Sequence, residues 1–202
     1  MSTSYQYNTI EKESVAEYKD RGSSFLAYAF PIIGIEDFKK RLKSIKEEHP
    51  KAAHHCFAYR IGLDGNNHRA SDDGEPAGSA GKPILGQIDS KNLTYTAIVV
   101  VRYFGGTLLG VPGLINAYKM VSSLALQLTP IIQKPVLVDY ELQFDYTAMN
   151  EVMMIVKRLN CEVLKNEAQL FCILKLGVPK EVEQTFLELM KDLPAVDAKK
   201  LP

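Results

Sequence analysis

The chain has 202 residues, of which 46% are hydrophobic and 24% charged, with no tryptophan, a composition that argues against a disordered or fibrous protein. Lys plus Arg and Asp plus Glu both number 24, so the global positive charge of a nucleic-acid binder is missing. There is no DNA-specific signal, and any RNA contact has to come from a local basic patch.

That length suits two modest domains. The opening stretch from Met1 to Ile10 is polar and lacks the apolar core of a signal peptide, and no run approaches ~20 apolar residues, so no membrane association is expected. Cys56, Cys161 and Cys172 are odd in number, widely spaced and set in apolar runs. They read as reduced thiols, which makes the cytoplasm the expected location.

Ser23 to Ile33 is apolar and aromatic, and reads as a strand; Glu36 to His49 follows as a helix with Phe38, Leu42 and Ile45 on its buried stripe. Lys39, Lys40, Arg41, Lys43 and Lys46 on the other side form a solvated face balanced by nearby carboxylates, the commoner fate of such a face, or a phosphate-binding one. His54 to Gly62 alternates as a strand. Asp64 to Gly86 is rich in glycine and reads as a long irregular loop, the kind of connection that tends to carry function. Thr94 to Phe104 contains the continuous β-branched run of a strand buried on both faces, and Gly113 to Leu128 has helical spacing.

After Pro130 and Pro135 the pattern restarts, giving expected domains at 1–133 and 134–202. Val136 to Phe144 reads as a strand, Thr147 to Leu159 as a helix with Thr147 as N-cap, Glu162 to Lys165 and Gln169 to Leu176 as strands, and Pro179 to Leu193 as a helix. With a short last strand near Val196, this order predicts a ferredoxin-like split β-α-β unit behind an N-terminal domain of α/β or α+β type. The whole is read as α+β.

Chemistry concentrates in two segments. Ser71 to Pro83 places Asp72, Asp73 and Glu75 beside Gly74, Pro76, Gly78 and Gly81. The three carboxylates have the oxygen chemistry of hard-cation ligands, the N–H groups around Gly78 to Gly81 suit an anion, and the same residues also serve ordinary turn chemistry, with the carboxylates pairing Arg60 or Arg69. Gly81-Lys82 is not a P-loop, because Pro76 stands where the first glycine belongs and Pro83 where a hydroxyl residue would. The second segment is Arg102-Tyr103-Phe104-Gly105-Gly106, where a strand delivers a guanidinium and two aromatics to a glycine turn. His54 and Cys56 share a strand face, whereas His55 and Cys56 do not, so a thiol-histidine pair needs His54; a buried structural Cys is the commoner outcome. His68 lacks zinc-site spacing.

The blocks HHCFAYRIG at 54–62, SDDGEPAGSAGKPIL at 71–85, VVVRYFGGTLLG at 99–110 and AYK at 117–119 resemble, in this order, the signature of the Impact (YigZ-like) family. Matched by position, its characteristic residues are His55, Asp72, Asp73, Gly74, Glu75, Pro76, Gly78, Ala80, Gly81 and Arg102 to Gly106. Ser79 stands where Thr is frequent, and Pro112 and Asn116 depart from the family's later block. The resemblance implies an N-terminal fold similar to the second domain of a small-subunit ribosomal protein and a C-terminal fold like a late domain of elongation factor G. Eukaryotic relatives regulate translation by competing for an activator of a stress kinase. The expectation is therefore a non-catalytic, translation-linked regulatory or binding protein without a cofactor, meeting a ribosome, RNA or protein partner through His55, Arg60, the 72–81 loop and 102–106. The competing expectation is a metal-assisted hydrolase or transferase on a phosphorylated substrate, with Asp72, Asp73 and Glu75 as ligands and His55 as base.

Overall fold

The computed structural model describes residues 5–168, 171–193 and 196–201. The chain forms two compact units, Tyr7–Gln133 and Lys134–Pro202, the latter taking in Met1–Gln6. The Val136 N–H donates to the Tyr5 carbonyl at 2.8 Å, which ties the start of the chain to the second unit. The division falls within strands β1 (Gln6–Ile10) and β7 (Ile131–Pro135), a two-stranded ladder.

The first unit is built on β2 (Ser14–Asp20), β3 (Ser23–Pro31), β4 (His54–Ile61), β5 (Asn67–Ser71) and β6 (Thr96–Tyr103), in the order β2-β3-β6-β4-β5. Every ladder in this sheet is antiparallel, so the unit is α+β rather than a wound parallel α/β domain. The β-branched run of β6 sits at the centre because both its faces are covered. Ile98 and Val100 point to one hydrophobic cluster, and Ala97, Val99 and Val101 to another. On the second face lies α1 (Ile35–Glu48), whose Phe38 packs on Phe57 and Tyr59 with ring centroids 5.0 and 4.7 Å apart. On the first face lie α2 (Gly81–Ser90) and α3 (Gly110–Gln127), which bury Ile84, Ile88, Leu114, Ala117, Tyr118 and Val121.

Strand β5 and helix α2 occupy the segment read from sequence as irregular loop, and β1, β2 and β7 were not expected. The lysine face of α1 is the solvated one in part: Lys39 pairs with Glu36 at 2.7 Å, and Arg41 with Glu13 and Glu48 at 2.6 and 2.8 Å.

The second unit runs β8 (Leu137–Phe144), α4 (Met149–Arg158), β9 (Glu162–Ala168), β10 (Cys172–Pro179), α5 (Glu183–Lys191) and β11 (Val196–Lys200). Its strand order, β11-β8-β10-β9, and its β-α-β-β-α-β succession give the split β-α-β topology. Thr147 lies in a 3₁₀ turn ahead of α4 and makes no side-chain cap. The strand expected from Gln169 begins outside the described residues at its N-terminal end and is described from Cys172. Among the described residues no helix is long and apolar enough to cross a membrane.

In the second unit Phe186, fully buried against Tyr140 with centroids 5.3 Å apart, fills the space between α5 and the sheet. Phe186→Ala is expected to lower that unit's stability by ~3–5 kcal/mol. The exposed Met154→Ala should stay within ~0.5 kcal/mol of wild type. Denaturant unfolding of the two variants checks the contrast.

Candidate functional site

Strand β5 ends at Ser71, and the next residue turns the chain back on itself. Asp72 Oδ2 accepts the Gly78 N–H at 2.8 Å, while Oδ1 accepts those of Ala80 and Gly81 at 3.0 and 2.8 Å. Asp72 therefore occupies the start of α2, the place a bound anion would take. Burial raises the energy of its charged form, but the three N–H donors prevail and hold its carboxyl below the ordinary Asp value. The loop can draw this close because Gly81 has no side chain: a Cβ there would stand 2.6 Å from the Ser71 nitrogen.

Asp73 and Gly74 both take positive φ, 44° and 90°, and the Glu75 N–H closes the turn on the Asp72 carbonyl at 2.9 Å. This two-residue reversal swings Glu75 inward, where its Oε1 receives Arg102 Nη1 at 2.6 Å and the Tyr118 hydroxyl at 2.7 Å. The Arg102 and Glu75 side chains are only 6% and 3% exposed, so this is a buried ion pair. The guanidinium lies between Phe25 and Phe104, 5.5 and 5.6 Å from their ring centroids. Arg102 Nε is buried without a protein partner. Phe104 is half exposed and forms the outer cover.

Beyond Phe104 the chain meets the β2–β3 hairpin turn. A Cβ on Gly105 would fall 1.9 Å from the Gly22 carbonyl carbon, so the two backbones touch directly. The Gly105 N–H donates to Ser23 Oγ at 3.2 Å.

Alternation sorts the remaining residues. In the β4–β6 register His54 stands opposite Arg102, and it is His54, not His55, that shares the α2–α3 face with the ion pair. Since a carbonyl only accepts, His54 Nδ1–H donates to the Asp73 carbonyl at 2.7 Å, leaving Nε2 4.0 Å from Glu75 Oε1. His55 falls on the α1 face. Its backbone N–H donates to Asp73 Oδ2 at 2.7 Å, and burial, with Lys46 alongside, holds its imidazole below the usual His range. Tyr103 also faces α1, where its hydroxyl bonds His49 Nδ1 at 2.8 Å. Arg60 leaves the site altogether. Six residues along β4 from His54, about 20 Å away at strand rise, it pairs with Asp89 at 2.7 Å.

The expected ligand set does not converge, because each carboxylate is turned to a different partner. Asp72 goes to N–H groups, Asp73 to His55 and, at 3.9 Å, Lys46, and Glu75 to Arg102 and Tyr118. Among the described residues no group of three His, Cys, Asp or Glu is placed to hold a metal ion. Nor does His54 activate Cys56. The thiol contacts the Asp72 carbonyl and the Tyr118 hydroxyl, and burial pushes it up to about 12, so it stays protonated.

Tyr118 is the member that sequence reasoning left without a role, although it lies in the AYK block. A tyrosine on the buried stripe of an amphipathic helix needs a polar partner for its hydroxyl, and that need was the available signal.

The geometry defines a two-unit protein of mixed α and β structure whose first unit carries two loop segments clamped by a buried ion pair. The family model for the Impact N-terminal domain matches residues 21–126. The IMPACT family member YigZ of Escherichia coli is 35% identical over 159 residues, 78% of each chain. An IMPACT family member of Haemophilus influenzae is 35% identical over 183 residues, 90% of this chain and 89% of that one. The crystal structure of a hypothetical protein covers 98% of both chains at 28% identity with a TM-score of 0.77. This chain belongs to the Impact family.

Two outcomes follow from the geometry. Arg102→Ala strands a buried carboxylate and should cost ~3–5 kcal/mol, whereas Arg102→Met combined with Glu75→Gln should recover part of it, as chemical denaturation of both variants will show. For Asp72 the folded carboxyl lies below the ordinary value of 3.8, so its contribution is complete above that pH and lost as pH falls through the folded value. In an acid titration of stability, Asp72→Asn should be less stable at neutral pH and show a shallower acid limb.

Proposed function

We propose that the protein is a translation-linked regulatory or binding protein that meets its partner through the loop surface of the first unit, without catalysing a reaction there. The observation that carries this reading is Phe104: a half-exposed aromatic, held on a buried Arg102–Glu75 pair, at the junction of both signature segments. A large apolar ring fixed in that way costs little conformational entropy on binding, which is how interface anchors work. In the two signature segments and the turn that follows the second, Asp73, Gly74, Pro76, Gly105, Gly106 and Leu108 are exposed as well. The three carboxylates are engaged with backbone N–H groups, Arg102 and Tyr118, and His54 with the Asp73 carbonyl, which suits a rigid recognition surface better than metal chemistry.

The translation link comes from family membership. In line with it we read the first unit as kin to the second domain of a small-subunit ribosomal protein, and the second unit as kin to a late domain of elongation factor G. The split β-α-β succession supports the latter.

Arg102 is buried, so its truncation confounds binding with folding; Phe104 gives the cleaner test. Phe104→Ala should leave the thermal midpoint within a few degrees and reduce co-sedimentation with ribosomes about tenfold or more, the loss of one aromatic anchor. Unchanged co-sedimentation would remove this surface as the binding site.

A further inference from the structure

In a chain of which 24% is charged, the stretch from Phe104 to Gln133 carries one charged side chain, Lys119, and no carboxylate. One face of the segment is packed in the core and the other is exposed. Leu108 is 82% exposed in the loop entering α3, and Val111 and Ile115 are 46% and 39% exposed one turn apart on the helix. Lys119 follows at the next turn, is exposed, and makes no ion pair among the described residues. Solvated helix faces normally interleave both signs of charge, as α1 does with its Lys39–Glu36 and Arg41–Glu48 pairs. This flank of α3 instead presents an aliphatic ridge that ends in one unpartnered ammonium.

We propose that the Leu108–Val111–Ile115 ridge docks an amphipathic helix of a partner protein, whose apolar stripe lies on the ridge and whose carboxylate meets Lys119. The proposal rests on the reading of the adjoining loops as a binding surface, and it assigns the partner's chemistry. A ridge at i, i+4 spacing is what a second helix packs against, whereas strand addition needs an open sheet edge. A second copy of this chain packed ridge on ridge is the poorer occupant, because the stretch from Phe104 to Gln133 offers no carboxylate to Lys119. RNA is poorer still, since aliphatic side chains give bases no stacking surface and one lysine gives little phosphate affinity.

The test replaces Leu108 in the full-length chain with the photo-reactive residue p-benzoylphenylalanine, irradiates growing cells, and sequences the cross-linked peptide. The expected product is a protein peptide with apolar residues at i, i+3 or i+4 spacing and an Asp or Glu within a turn of them. Lys119→Glu should cut its yield about three- to fivefold, the size of an exposed ion pair lost. Reversing the partner's acidic residue to Lys should restore the yield.

A nuclease-sensitive product, a product of twice the chain's mass, or a yield no higher than from the same probe at Lys39 on α1 each overturns the proposal. A protein product found away from the ribosomal pellet leaves the docked helix standing and removes the translation reading. An aliphatic–acidic product that persists when Phe104→Ala abolishes ribosome pelleting separates the two surfaces.

Discussion

The ion pair between Arg102 and Glu75 is the interaction on which the site's shape depends. One partner comes from the end of the central strand and the other from a loop whose remaining ties are the Asp72 carboxylate's bonds to Gly78, Ala80 and Gly81 and the bonds of His54 and His55 to Asp73. Taking both charges out of water is expensive, and the pair is tolerable only because Tyr118 donates to the same carboxylate and aromatic rings cover the guanidinium on two sides. Such an arrangement adds little net stability compared with an apolar filling. Its effect is on uniqueness: leaving either charge buried without the other is costly, so the pair favours the one position of the 72–81 loop that seats Glu75 on Arg102.

This explains why the acidic segment, which looks reactive as a string of letters, is chemically quiet in the fold. Asp72 stands where a phosphate would sit at the start of α2, and in doing so it makes that helix independent of any bound ion. Asp73 is spent on the His55 backbone and Glu75 on the ion pair. What remains outward is shape and apolar surface, which belong to recognition.

Much of the first unit was legible from its letters, in particular the buried run at Thr96–Tyr103, the alternation at His54–Ile61, and the amphipathic α1 and α3. The second unit's strand and helix order could be read likewise. Helix α2 escaped because its cap is supplied from nine residues upstream, across a turn, and capping rules look only at the neighbouring residue. β5 escaped because an exposed edge strand, Asn67–Ser71, has no apolar alternation to reveal it. The same limit left open which histidine faces the ion pair. Alternation says that His54 and His55 face opposite ways, but which face receives the acidic loop is decided by the turn at Asp73-Gly74. Arg60 was misplaced for a related reason, since closeness in sequence along a strand is distance in space.

The direct backbone contact between Gly105 and Gly22 has a bearing on redesign. It pins the stem of the loop that leads into α3, so the exposed pair Thr107-Leu108 is held between that contact and Leu109, which is buried in the core. Anyone wishing to graft a new recognition sequence onto this scaffold has a short cassette at Thr107-Leu108, provided that no bulk is added at Gly105 and Leu109 stays in the core.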